Sequence, residues 1–478
     1  MRDAFIHLFP LASNVSGIVY TKELTRRGNG GQATLRCPLG AESQTRVHLQ
    51  FIRFLVPLAV ATLALEIGGQ FLNGGMARVP RATETLAAFG LALGLKSILT
   101  GALYQSRQFA LAMIDNRLQL RSASRFVFTA GVLLSVATAV LGLPGLGRWV
   151  VKDLHDLTTV IADQTQLALL LMSPLPLING LSRYLSGLLA RYRRTEIITL
   201  SQIGSILTSI AAVLILLGNR YINQTPILLP VAATFLGAII EFGVLLWGHL
   251  RFSRPSLPIK GPSLTIRDIL HFLWPLAVIM IFQGFSRPLI NLIVSRGSNG
   301  TEALAVLTVI YTLGHIHYGW VNENRSLIPV FRDETGYLPY ARRFIVACGC
   351  ISFAMALILF WTPIRWVLLI DLIGVTPELA ELCVQPLMVF TFFPFAVTLR
   401  AYYHGVGIVN RITQSMATSG PSRLTAISIG LFVLSFFDLP GATRGIGALL
   451  CGFSAEAIVL AWGVRRKLKA IPYGEKYV

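Results

Sequence analysis

Five cationic side chains stand in stretches of this chain that are otherwise almost purely apolar. Lys96 lies in "LALGLKSILT", Arg287 in "FQGFSRPLIN" and His315 in "TLGHIHYGW", while Arg183 and Arg400 occupy similar surroundings. An ionisable group inside hydrocarbon costs roughly 2.5 to 3.5 kcal/mol on insertion scales, so each is a functional candidate. Arginine forks match the oxygens of phosphate and carboxylate, and lysine gives the same groups a point charge. Gln283, Asn291 and Tyr318 add hydrogen-bonding groups within a few residues of Arg287 and His315. Together these residues read as the lining of a site for a small multivalent anion. Glu66, Glu241, Glu323 and Glu456 fall in or at the ends of the same stretches. They read either as proton carriers in an exchange cycle or as structural counter-ions of nearby cations.

The elements that position these residues follow from composition. The 478 residues are 54% hydrophobic and 13% charged, with a mean hydropathy of +0.65, which excludes a water-soluble domain of this length. About twelve apolar runs are long enough to cross a bilayer: roughly 51–73, 86–106, 124–145, 165–189, 197–218, 226–249, 269–294, 303–322, 344–362, 383–404, 420–439 and 445–464. Backbone amides in lipid must be satisfied within the segment, and the period of two of a barrel strand is missing, so all are read as helices. The expected fold is an all-α polytopic membrane protein.

The net charge of +19 is distributed, not clustered. Arg107, Arg117, Arg121 and Arg125 follow the second run, Arg191, Arg193 and Arg194 the fourth, and Arg251, Arg254, Lys260 and Arg267 the sixth. Arg325, Arg332, Arg342 and Arg343 follow the eighth, and Arg465, Arg466, Lys467 and Lys469 the last. This alternation is the positive-inside signal and puts both termini in the cytoplasm, and the expected location is the plasma (inner) membrane, crossed many times. The basic balance is thereby explained without nucleic acid. The five cysteines have no metal-binding spacing, and nothing resembles a cofactor motif.

The chain also repeats itself. "RFLVPLAV" at 53–60 returns as "HFLWPLAV" at 271–278, 218 positions later. The same offset places Gly101 on Gly319 and Arg107 on Arg325, an offset of 220 places Pro174, Gly187 and Arg191 on Pro394, Gly407 and Arg411, and an offset of 215 places Glu241 on Glu456. The expectation is two parallel six-helix repeats around a central cleft, related by an axis along the membrane normal. They occupy roughly 51–250 and 269–466, joined by a cytoplasmic linker at 251–268, with a poorly ordered extension at 1–50 and a cytoplasmic tail at 467–478. Pro57 and Pro275, matched in the first helix of each half, and Pro288 beside Arg287 each free a backbone carbonyl and read as hinges.

Several motifs carry a resemblance. "Q-x-x-S-R-P-x-x-N" from Gln283 to Asn291, "G-H-x-x-Y-G-W-x-x-E-x-R" from Gly314 to Arg325, "FWTP" from Phe360 and "FFP-x-x-V-T-x-R-A" ending at Ala401 resemble the progressive ankylosis family. So does "IRFLVPL" with Gln70, Leu72 and Asn73, although Gly69 and Gly74 stand where animal members carry an acidic and a basic residue. The resemblance implies an exporter of pyrophosphate, nucleotide or citrate-like anions, with the two-bundle architecture of the multidrug and oligosaccharidyl-lipid exporters. Exporting an anion of charge −3 from an interior about 100 mV negative releases roughly 7 kcal/mol, enough to dispense with proton coupling.

Enzyme readings fail on spacing. "GLALGLKS" at 90–97 lacks the glycine spacing of a phosphate loop and lies inside an apolar run, and "GIGALLCG" at 445–452 is a small-residue helix face. The sequence reading is therefore an alternating-access anion exporter whose partners are a small anionic substrate and the lipid bilayer. Its alternatives are a lipid-linked oligosaccharide or amphiphile flippase or drug exporter of the same superfamily, and a non-transporting membrane regulator. The sequence sets no oligomeric state.

Overall fold

The computed structural model describes residues 41–153, 158–297, 300–334, 336–373 and 375–470. The expected extension at 1–50 therefore lies outside the described residues, except that the first helix already begins at Ala41. No strand occurs among the described residues.

The first half runs α1 (Ala41–Met76), α2 (Ala82–Thr100), α3 (Ser106–Met113), α4 (Arg117–Gly142), α5 (Thr159–Leu171), α6 (Leu175–Arg191), α7 (Thr195–Leu216) and α8 (Leu228–Gly248). The second half runs α9 (Ile266–Val294), α10 (Gly300–Gly319), α11 (Leu338–Trp361), α12 (Pro377–Phe390), α13 (Phe393–Val409), α14 (Ser419–Leu434) and α15 (Gly441–Ala470). Nine helical stretches of the described residues are long and apolar enough to span a bilayer, and two bent pairs, α2 with α3 and α5 with α6, bring the number to eleven. The remaining expected span, 420–439, is α14, which is helical but only 16 residues long.

The helices run on through the prolines expected as hinges. α1 continues through Pro57 and α9 through Pro275 and Pro288 without a break. The chain also turns by 60° between α2 and α3 and by 49° between α5 and α6, the latter next to Pro174 and Pro176. A proline removes only one ladder bond, which a membrane helix tolerates, whereas these breaks interrupt the ladder over several residues.

The repeat is visible in the contacts. α6 and α13 are each 17 residues long, and each is followed by an arginine of positive φ, Arg193 at 58° and Arg411 at 57°. These matched ends put the fourth span of each half in register at 218, correcting the offset of 220 that the prolines and glycines had favoured. Gly187 packs against the Arg107 carbonyl, and at the same offset Gly405 packs against that of Arg325. A methyl group at either position would collide with backbone, so the two small residues let each helix pair cross closely. For the last helix of each half the register shifts to 215. There Gly248 meets Ile197 as Gly463 meets Ser415, and Gly237 meets Ser209 as Gly452 meets Ile427.

One buried cluster draws on both halves, with Phe51, Phe109 and Leu188 from the first and Phe272, Leu327 and Phe331 from the second. Two further clusters are private: Met76, Phe89 and Leu169 belong to the first half, and Ile290, Phe390 and Phe453 to the second. The halves thus share a core at the basic-loop end and have separate cores toward the other end. Among the described residues they meet as a wedge closed on its basic side.

Candidate functional site

Glu456 on α15 organises the densest polar cluster. It is 1% exposed and accepts from Arg423 Nη1 at 2.8 Å, Arg400 Nη1 at 3.2 Å and Gln283 Nε2 at 2.6 Å. Arg423 also donates through Nε to Ser286 Oγ at 2.9 Å, and Arg400 to Asn322 Oδ1. Both guanidiniums lie over the Phe453 ring, at 4.0 and 5.0 Å from its centre. A carboxylate buried this deeply requires charge-assisted partners, and here it has three donors from three helices. Its partners occupy it as a counter-ion within α9, α13, α14 and α15.

A second group spans the cleft between the halves. Glu66 of α1 and His315 Nδ1 of α10 are 3.0 Å apart, and Arg287 acts electrostatically on the same carboxylate. Arg287 is exposed, lies 4.6 Å from the centre of the Tyr311 ring and forms no ion pair with the described residues. Tyr311 donates to Asn291 Oδ1 at 3.4 Å. Tyr318, by contrast, is buried among Phe390, Phe393 and Phe453 and serves packing.

A third group lies where the halves touch. Glu323 pairs with Arg107 across the interface at 2.9 Å, with Arg325 and Arg183 in electrostatic reach, and Arg183 sits 5.3 Å from the Tyr104 ring centre. Gln108 Nε2 donates to Ser326 Oγ at 3.3 Å. These two residues are 218 positions apart, so the repeat axis passes between them. Arg107 and Arg325, expected in basic loops, are instead enclosed at this seam: the short 3-10 segments after α2 (Gly101–Gln105) and after α10 (Trp320–Ser326) carry the chain onward into the interface.

Two expected residues stand apart. Lys96 is 3% exposed and its ammonium has no hydrogen bond, ion pair or charged neighbour among the described residues, so the structure does not bring it to the arginines. Glu241 is half-buried and likewise has no partner among them.

On the basic side, ion pairs cross between halves. Asp115, in the turn after α3, binds Arg191 at 2.6 Å within its own half, and Arg332 and Arg411 of the other half, the latter at 3.3 Å. Arg193 pairs with Glu334, and its guanidinium lies 4.0 Å from the Phe331 ring centre. Burial alone would raise the Asp115 carboxyl, but the Arg191 and Arg332 charges outweigh it and hold it below the usual carboxylate range.

The family model for the progressive ankylosis protein matches residues 41–362, more than half of the chain. The chain belongs to the progressive ankylosis protein family. Its fold is similar to that of a MATE transporter from Vibrio cholerae, with a TM-score of 0.69 at 12% identity over 90% of this chain and 99% of that one. A MATE protein in a bent conformation gives 0.66 at 14% identity, covering 89% of this chain and 96% of the other. A MOP superfamily transporter from Pyrococcus furiosus, described by a reversed polarity of its binding pocket, gives 0.65 at 13% identity over 91% and 99%. These neighbours have twelve helices in two repeats, and this family member is accordingly a multi-pass membrane protein with that architecture.

Sequence reasoning missed Arg423, Asn322, Gln105, His317 and His404, all of them buried or half-buried polar groups. Arg423 falls near the start of a span, where an arginine reads as an interfacial anchor. The signal that would have found it is Glu456, whose burial demanded more than one cation.

Proposed function

We propose that this protein exports small multivalent anions, pyrophosphate, nucleotide or citrate-like, by rocking its two bundles about the polar seam between them. One observation carries the reading. Six arginines, Arg107, Arg183, Arg287, Arg325, Arg400 and Arg423, act on only three carboxylates, Glu66, Glu323 and Glu456. The seam therefore keeps an excess of fixed positive charge in a low-dielectric setting, and an anion is the cargo that such a lining favours. Arg287, exposed and without an ion pair, is the first contact for cargo entering the cleft. Lys96, a buried ammonium with no counter-charge, meets cargo when the first bundle rearranges. Membership of the progressive ankylosis family and the two-bundle fold agree with this mechanism.

The cycle follows from two-state packing. The shared core and the crossing ion pairs close the basic side, which we read as the cytoplasmic one from the distribution of arginines. Opening that side requires the pairs to break, and an anion from the cytoplasm supplies replacement charge for the arginines they release. The test is efflux of pyrophosphate, ATP and citrate from cells expressing the wild type, Arg287→Ala or Lys96→Ala. The expected result is a rise of at least one anion in the medium with the wild type and a loss of most of it in the variants. No rise with the protein confirmed in the membrane overturns the reading.

A further inference from the structure

A small enclosed cavity of about 30 Å³ lies at the seam, lined by Gln105 from the first half and by Gln283, Asn322, Arg325, Arg400 and His404 from the second. It has room for two or three water-sized atoms. Its walls hold polar atoms with nothing to bind: Arg325 Nε, His404 Nδ1 and Gln105 Oε1 are all buried without a hydrogen-bond partner among the described residues. Gln105 and His404 are 2% and 6% exposed. Arg325 makes no hydrogen bond to the described residues through any of its donors, although the Arg400 fork beside it is fully engaged. A guanidinium Nε with no hydrogen-bond partner beside a void marks a place for an acceptor, and Gln105, whose own Oε1 is unpartnered, can turn its amide nitrogen toward the same point.

We infer that this cavity is an oxyanion subsite, holding one carboxylate or phosphoryl end of the cargo against Arg325. The inference rests on the anion-carrier reading and adds where one end of the substrate is held. The size fits two oxygens of a carboxylate or one edge of a phosphoryl group. Arg325 supplies a free fork for bidentate binding from the second half, while the amide nitrogen of Gln105 offers a hydrogen bond from the first. An anion there touches both bundles one turn above the Gln108–Ser326 contact, so its arrival is felt where the halves are joined.

The test uses the purified full-length protein in detergent, with thermal stability followed against inorganic phosphate, pyrophosphate, citrate and chloride. The wild type is expected to gain stability saturably with the oxyanions and not with chloride, with pyrophosphate and citrate acting at lower concentration than phosphate. Arg325→Gln is expected to need about tenfold more of each oxyanion, and Arg325→Lys an intermediate amount. Ala401→Val narrows the cavity without altering any charge, and is expected to weaken the oxyanion effect while leaving the ligand-free melting temperature near wild type. This second variant decides the matter if Arg325→Gln does not fold. Wild-type oxyanion affinity in Ala401→Val or Arg325→Gln overturns the subsite, as does a chloride effect equal to that of phosphate. Cellular efflux by the wild type, measured alongside, judges the carrier reading separately: efflux that persists while these variants bind normally leaves an exporter without this subsite.

Discussion

Glu456 and Glu241 occupy equivalent places in the two halves, yet only one of them has company. The partners of Glu456 are Arg423, Arg400 and Gln283. At the corresponding positions near Glu241 the chain places Ser205, Ser182 and Leu65. The backbone crossings that bring these helices together are the same in both halves, as Gly237 against Ser209 and Gly452 against Ile427 demonstrate. Duplication therefore preserved the scaffold while charge was concentrated on one side of the cleft. A carrier that must hold one asymmetric cargo has no need for two identical walls, and every additional buried ion pair carries its own desolvation cost.

The largest expected effect breaks this comparison directly. Glu456→Gln leaves Arg400 and Arg423 buried without a counter-charge and is expected to cost about 3 to 5 kcal/mol, seen as a large fall in melting temperature and folded yield. Glu241→Gln is expected to change stability by less than about 1 kcal/mol, because no described residue pairs with it. Equal losses from the two substitutions would mean that the halves are energetically alike.

Next in size is Arg287→Ala. Its side chain is exposed to the cleft, so folding is expected to stay within about 0.5 kcal/mol of wild type while anion efflux falls about tenfold. Loss of folded protein in parallel with efflux would make Arg287 a structural residue.

The basic side offers a smaller and pH-dependent effect. Asp115→Asn removes the shared partner of Arg191, Arg332 and Arg411, and is expected to expose a cysteine placed at Ala112 to a water-soluble maleimide several-fold faster. Because the Asp115 carboxyl titrates below its ordinary value in the folded state, its stabilisation is complete above the unfolded value near 4 and is lost as pH falls through the lower folded one. The stability difference between wild type and Asp115→Asn should thus stay level down to about pH 4 and shrink only below it.

The smallest effect concerns the rim. Arg193→Glu is expected to cost about 0.5 kcal/mol, since both partners are more than one-third exposed or nearly so, at 38% and 33%. The exchange Arg193→Glu with Glu334→Arg should recover most of that loss, and recovery of nothing would remove the pair from the closure.

Much of the architecture was legible in the order of residues. Apolar runs fixed the number of spans, because lipid admits only helices with internal hydrogen bonds, and the duplicated "FLxPLAV" phrase announced the two halves. The register of the fourth span was misread by two residues because proline and glycine recur too often in "SPLPLING" and "HGVGIV" to fix it, whereas matched helix ends do. Charged residues in apolar runs pointed to a polar interior. Their pairing was not legible: the partners Arg107 and Glu323 lie 216 positions apart, and Arg423 and Glu456 on separate helices.

What the sequence determined by itself is therefore what depends on local free energy: which segments enter the membrane, and that the chain is built twice. What the tertiary structure decided is which charges are neutralised. Glu456 is saturated by three donors and Glu241 by none among the described residues, Arg107 sits in a seam and not in a loop, and Arg325 faces a cavity with its donors free. The reason is physical. Whether a charge inside a membrane protein is a counter-ion or a binding group depends on distances between helices, and a linear sequence fixes those only after the helices have packed.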